Sequence, residues 1–121
     1  MSRVFETSEN QKKDYLKTRY YKTTDRQMLK FIPDILKAMR CDVLGINEDY
    51  AEISAYNKYY DISVKVVMVS LNETSVDVFV SSRYIIDINK SRHVIEDFYS
   101  RISKNFEFLG LALHSDQNEK H

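Results

Sequence analysis

The stretch DISVKVVMVSLNETSVDVFVSSRY, residues 61–84, decides how this chain is read. Ile62, Val64, Val66 and Met68 alternate with Ser63, Lys65, Val67 and Val69. After Asn72-Glu73-Thr74 the alternation resumes, with Val76, Val78 and Val80 set against Asp77, Phe79 and Ser81. A period of two sends successive side chains to opposite faces of a pleated strand, so each run has one face for a core. The polar triplet between the runs is then a hairpin turn. Ile62, Val64, Val66, Met68, Val76, Val78 and Val80 are expected to point inward.

Upstream of this hairpin the same period appears in Val43–Ile46 and Tyr50–Tyr56. Asn47-Glu48-Asp49 separates them as a tight turn or a bulge. Ala51, Ile53 and Ala55 are expected to face the core, with Tyr50, Glu52, Ser54 and Tyr56 outside. Before residue 40 the period becomes helical. Met28, Phe31, Ile32, Ile35, Leu36 and Met39 recur at three- and four-residue steps, behind the capping-box spacing Thr24-x-x-Gln27. Pro33 removes one helical hydrogen bond, which implies a kink near residues 29–33 or a helix that starts close to Pro33. Tyr15–Tyr21 reads as a strand. A second helix is marked by Val94, Ile95, Phe98, Tyr99, Ile102 and Phe106, with Asn89 and Ser91 as caps and an end near Phe106–Leu109 before Gly110.

These elements give an α+β domain of two layers: an antiparallel sheet of about four strands with two helices on one face, in the order β-α-β-β-β-α. Residues 1–14 read as a flexible polar arm, 15–110 as one domain and 111–121 as a polar tail. The chain has 121 residues, 43% of them hydrophobic, with only two Gly and one Pro, which excludes a linker-like composition. A chain of this mass buries roughly two-thirds of its surface without disulfide or metal staples. No apolar run approaches the roughly 18 residues of a membrane span. Its opening residues are polar and read as lacking a secretory signal.

Lys plus Arg and Asp plus Glu balance at 18 each, yet they are unevenly distributed. Residues 1–40 carry ten basic and five acidic side chains, and residues 41–80 carry two and seven. This gradient yields either internal complementarity or a basic face, with Lys17, Arg19, Lys22 and Arg26 as its anion-binding candidates. Cys41 has no second thiol and reads as a small buried hydrophobe. His93 and Asp97, four apart, suit a salt bridge; as an acid–base pair they lack a nucleophile at matching spacing. No metal-ligand spacing, phosphate loop or dinucleotide fingerprint occurs, so no catalytic residue, metal or cofactor is expected.

Nine tyrosines are more than core needs. Together with Lys and Arg they suit base stacking, but the Lys/Arg-Gly-aromatic signature of RNA-binding sheets is missing, so a protein contact is the better fit. The sheet face away from the helices is expected to carry it, through Tyr50, Tyr56, Val67, Val69 and Phe79.

Three stretches carry a family likeness: Arg19-Tyr20-Tyr21-Lys22-Thr23-Thr24, Ile35-Leu36-Lys37-Ala38-Met39-Arg40-Cys41-Asp42-Val43, and Ile95-Glu96-Asp97-Phe98-Tyr99 with Phe106-Glu107-Phe108-Leu109. Over about residues 16–109 they resemble small bacterial cell-envelope lipoprotein domains with a BamC-like helix-on-sheet module. The resemblance implies a non-catalytic interaction or assembly domain, periplasmic or membrane-anchored, with the polar stretch 6–14 as a membrane tether. Its partner would be another protein or a second copy. The other reading is a cytoplasmic ligand- or nucleic-acid-binding domain that uses the basic face of residues 12–40.

Overall fold

The computed structural model describes residues 4–7, 17–82 and 88–111. Seven strands and two helices follow in the order β1 (Val4–Glu6), β2 (Arg19–Lys22), α1 (Asp25–Ala38), β3 (Asp42–Asn47), β4 (Glu52–Tyr56), β5 (Tyr60–Ser70), β6 (Glu73–Ser82), α2 (Ile88–Ser103) and β7 (Glu107–Leu111). All pairings are antiparallel in one sheet of order β3-β4-β5-β6-β2-β7, and β1 shares with β2 the second edge of β6. The α+β class, the two helices and the antiparallel sheet agree with the sequence reading. The sheet is larger than the four strands expected.

Over residues 61–82 the hairpin forms as its alternation requires. Ile62, Val64, Val66, Val76, Val78 and Val80 are buried and meet Ile53, Ala55 and the buried stripe Met28, Ile32, Ile35 and Leu36 of α1. Glu48–Ala51 is a turn between two separate strands, so Tyr50 stands in that turn and not on a strand.

Helix α1 runs unbroken through Pro33, which excludes a start at that residue. The capping box at its head is complete: Thr24 Oγ1 accepts from the Gln27 N–H at 3.2 Å, and Gln27 Oε1 accepts from the Thr24 N–H at 3.5 Å. At its tail Arg40 takes a left-handed φ of 67°. The Cys41 N–H then reaches the Leu36 carbonyl (2.9 Å) and the Arg40 N–H the Lys37 carbonyl (2.9 Å). This is a Schellman end with arginine where glycine is usual.

Several boundaries correct the sequence reading. Residues 4–7, expected in the arm, belong to the sheet: Val4–Glu6 pair with Ser81–Phe79, and Thr7 is buried. Asp77 joins the two short strands on that edge, since its Oδ1 accepts from the hydroxyls of both Thr7 and Thr18 at 2.7 Å. Helix α2 begins at Ile88, ahead of the caps offered by Asn89 and Ser91, and ends at Ser103. Phe106–Leu109 lie outside it. Residues 107–111 turn back as β7 because β2 offers a free edge there, and Gly110, at φ 153°, sits opposite Tyr20 beside a register shift. Tyr15, Leu16, Lys12, Lys13, Arg83 and Tyr84 lie outside the described residues, as does the tail beyond Leu111 with His114 and His121.

Candidate interaction surface

The two ends of the helix-covered face differ. At the end where β4 passes into β5, chain and helix close over the sheet. Asn57 Oδ1 accepts from the N–H groups of Tyr59 (2.8 Å) and Tyr60 (3.0 Å), and its amide donates to Cys41 Sγ at 3.6 Å. The Tyr60 hydroxyl lies 3.7 Å from the same sulfur. Burial pushes both the Cys41 thiol and the Tyr60 phenol up from their ordinary pKa values, so both stay protonated at neutral pH. Cys41 is the buried small residue expected, though it is held by polar contacts as well as packing.

At the opposite end the cover is incomplete. The head of α1 is fixed over β6, where the Thr74 hydroxyl donates to the Thr23 carbonyl at 2.7 Å, and the tail is fixed over the far end at Cys41 and Tyr60. The helix therefore crosses the sheet diagonally and leaves the corner formed by the β3–β4 turn and the end of β5. Ile46 pairs with the buried Ile53, and Met68 with the buried Thr74, so both lie on the core face. Ile46 is nevertheless 46% exposed and Met68 52%. Beyond them Leu71 at the hairpin tip (89%), Tyr50 in the β3–β4 turn (69%) and Leu44 on β3 (68%) are also in solvent.

On the far face of the sheet, where Tyr56, Val67, Val69 and Phe79 were expected as contact residues, a charged rung intervenes. Cross-strand register sets Lys65 between Glu52 and Asp77. This charged rung separates Val67, opposite Ser75, from Phe79, opposite Ser63. Four residues at roughly 3.3 Å each place the two about 13 Å apart along the strand. An open groove of about 460 Å³ runs over the rung, lined by Thr7, Glu52, Ser63, Lys65, Asp77 and Phe79. Tyr56 is on the far face, four residues from the Lys65 rung's partner Glu52 by way of Ser54. Val67 and Val69 instead adjoin Met68 and Leu71 at the hairpin end, where all are exposed.

The basic candidates do not converge. Arg19 pairs with the buried Val76 and lies on the helix side, its guanidinium 4.6 Å from the Tyr99 ring centre and 5.4 Å from that of Phe108. Beside it the Tyr21 and Tyr99 phenols are pushed up by burial, Tyr99 strongly, with Tyr99 donating to the Val76 carbonyl at 2.8 Å. Strand alternation turns Lys22 to the face opposite Arg19 and Tyr21, Lys17 precedes β2, and Arg26 is exposed on the first turn of α1. Asp97 pairs with Arg101 at 3.2 Å rather than with His93. Among the described residues no group of three or more His, Cys, Asp or Glu is placed to hold a metal ion, and no helix is long and apolar enough to cross a membrane.

Ile46, Met68, Leu44 and Leu71 were not expected as contact residues. Alternation assigned Met68 correctly to the core face, and the bulge at Leu44 sets Ile46 there; only the path of α1 determines that nothing covers them. No protein-family model and no curated protein matches the chain.

Proposed function

We propose that the domain is a protein-interaction or assembly module that acts by binding, and that it docks its partner on the uncovered corner of the core face. The supporting observation is that Ile46 and Met68 lie in core register yet are half exposed, with Tyr50 and Leu71 exposed in the turns beside them. Isolated exposed apolar residues are ordinary; residues that carry a core face outward past its cover suit a docking site. Covering the exposed halves of Ile46 and Met68 contributes about 1 kcal/mol each by the area rule, and Tyr50 adds the aromatic anchor common at interfaces. The bacterial cell envelope is the proposed setting, on the likeness of residues 16–109 to lipoprotein domains. The dispersal of Lys17, Arg19, Lys22 and Arg26 favours this reading over nucleic-acid binding, which draws on a clustered basic surface.

The test is a paired substitution, Met68→Lys with Leu71→Lys, in the full chain. The expected result is loss of partner association with an unchanged thermal melt. Association that survives both lysines would refute the proposed surface.

A further inference from the structure

Strand β3 ends the sheet, and among the described residues no strand pairs with its outer edge. Such an edge presents a row of backbone donors and acceptors and is usually guarded by lysine, proline or an inward charge. Residues 42–47, DVLGIN, contain neither Lys nor Pro, and the only guard is a register shift between Val43 and Gly45, with Leu44 as the extra residue.

We infer that this edge pairs antiparallel with the same edge of a second copy, Val43 lying opposite Ile46 across the two-fold axis. The inference rests on the reading of this end of the sheet as a contact surface and names both the partner and the strand.

Three features of β3 are complementary to themselves in that register. The first is the face each side chain takes. Val43 and Ile46 lie on the core side, opposite Ala55 and Ile53; Asp42 and Asn47 lie on the far side, opposite Tyr56 and Glu52. With Val43 facing Ile46, Asp42 necessarily faces Asn47, so apolar meets apolar and polar meets polar. The second is space. Leu44 comes opposite Gly45, and a Cβ built on Gly45 meets nothing within 4 Å, so the leucine has room. The third is charge. Antiparallel pairing also brings Arg40, which precedes the strand, to the end of the copy's strand that Glu48 and Asp49 follow. All three are exposed, and no ion pair to Arg40 or Asp49 occurs among the described residues. An antiparallel copy brings Arg40 to the acidic end of this edge; a parallel one would set Arg40 beside Arg40 and Asp49 beside Asp49.

The experiment is sedimentation velocity on the full chain over a concentration series, with a thermal melt of every variant. Wild type is expected to associate to twice its 14.4 kDa mass. Arg40→Glu and Asp49→Lys should each weaken the dimer by roughly tenfold, because the two-fold axis applies each change twice. The double variant should return to within about threefold of wild type, since only the pairing has been inverted. Ile46→Lys should leave a monomer. A wild type that stays monomeric to about 1 mM overturns the inference, as does a double variant no tighter than the single ones. A dimer lost with Met68→Lys and Leu71→Lys but indifferent to the Arg40 and Asp49 exchange also overturns it, while upholding the corner as a contact surface.

Discussion

Met68 and Thr74 stand opposite each other on the β5–β6 ladder and share the helix side of the sheet, yet Thr74 is fully buried and Met68 is 52% exposed. The difference is one of cover. Thr74 is tied beneath the head of α1 through the Thr23 carbonyl, and Met68 lies one strand away, where the diagonal path of α1 has not yet reached. The apolar end of this sheet is thus core surface without its lid.

Substitutions on the two sides of that boundary should differ sharply. Met68→Lys is expected to change unfolding free energy by no more than about 0.5 kcal/mol, as for exposed positions generally. Ile53→Ala, which opens a cavity beneath α1, should cost about 2–5 kcal/mol. Urea denaturation of the two variants checks this, and comparable losses would mean that Met68 is covered.

The amount of this that was legible in the sequence follows from the range of each interaction. Alternation in residues 61–84 and the box Thr24–Gln27 act between near neighbours, so the β5–β6 hairpin and the head of α1 could be read directly. Strand β7 could not. Phe106-Glu107-Phe108-Leu109 continues the apolar spacing of α2, and it leaves the helix because β2, more than eighty residues earlier, offers hydrogen bonds to it. Strand β1 is three residues in a polar segment, fixed by Thr7 and Asp77. The uncovered corner was out of reach for the same reason: period two gives Met68 its face, and only the tertiary placement of a helix leaves it bare.

The ends of α1 should respond in opposite directions. Thr24→Ala removes the acceptor for the Gln27 N–H and is expected to cost about 1 kcal/mol. Arg40→Gly relieves a left-handed residue and should stabilise by about 0.5–1 kcal/mol, net of the greater freedom of glycine in the unfolded chain. Denaturation midpoints moving up for glycine and down for alanine are the expected signature.

Thr7 gives access to the attachment of β1. Its Oγ1 donates to Asp77, accepts from the Val78 N–H at 2.8 Å and lies 3.1 Å from the Tyr99 hydroxyl. Thr7→Val keeps the shape and strands these buried partners, for an expected loss of about 1–3 kcal/mol. Amide exchange at Val78 should accelerate in the variant; unchanged protection there would mean that β1 contributes nothing to that edge.

Alkaline pH should weaken the fold. Tyr99, Tyr21, Tyr60 and Cys41 are all raised above their ordinary values, first of all by burial of the group that would become charged. A raised folded-state pKa gives stability that is complete below the unfolded value and is lost as pH climbs toward the folded one. Unfolding midpoints should therefore be unaffected by these groups up to about pH 8 and fall above about pH 9, with the share of tyrosinate absorbance due to Tyr21, Tyr60 and Tyr99 appearing only as the protein unfolds. Complete tyrosinate absorbance, all nine phenols included, at a constant midpoint would contradict the burial of these phenols.

The most direct test of the uncovered corner as the docking site is a scan in cells with a photo-crosslinking residue placed singly at positions 46, 50, 68 and 71 and, for contrast, at 54, 63 and 79 on the far face. The account predicts a discrete adduct from the first group and none from the second. Adducts confined to positions 54, 63 and 79 would contradict it.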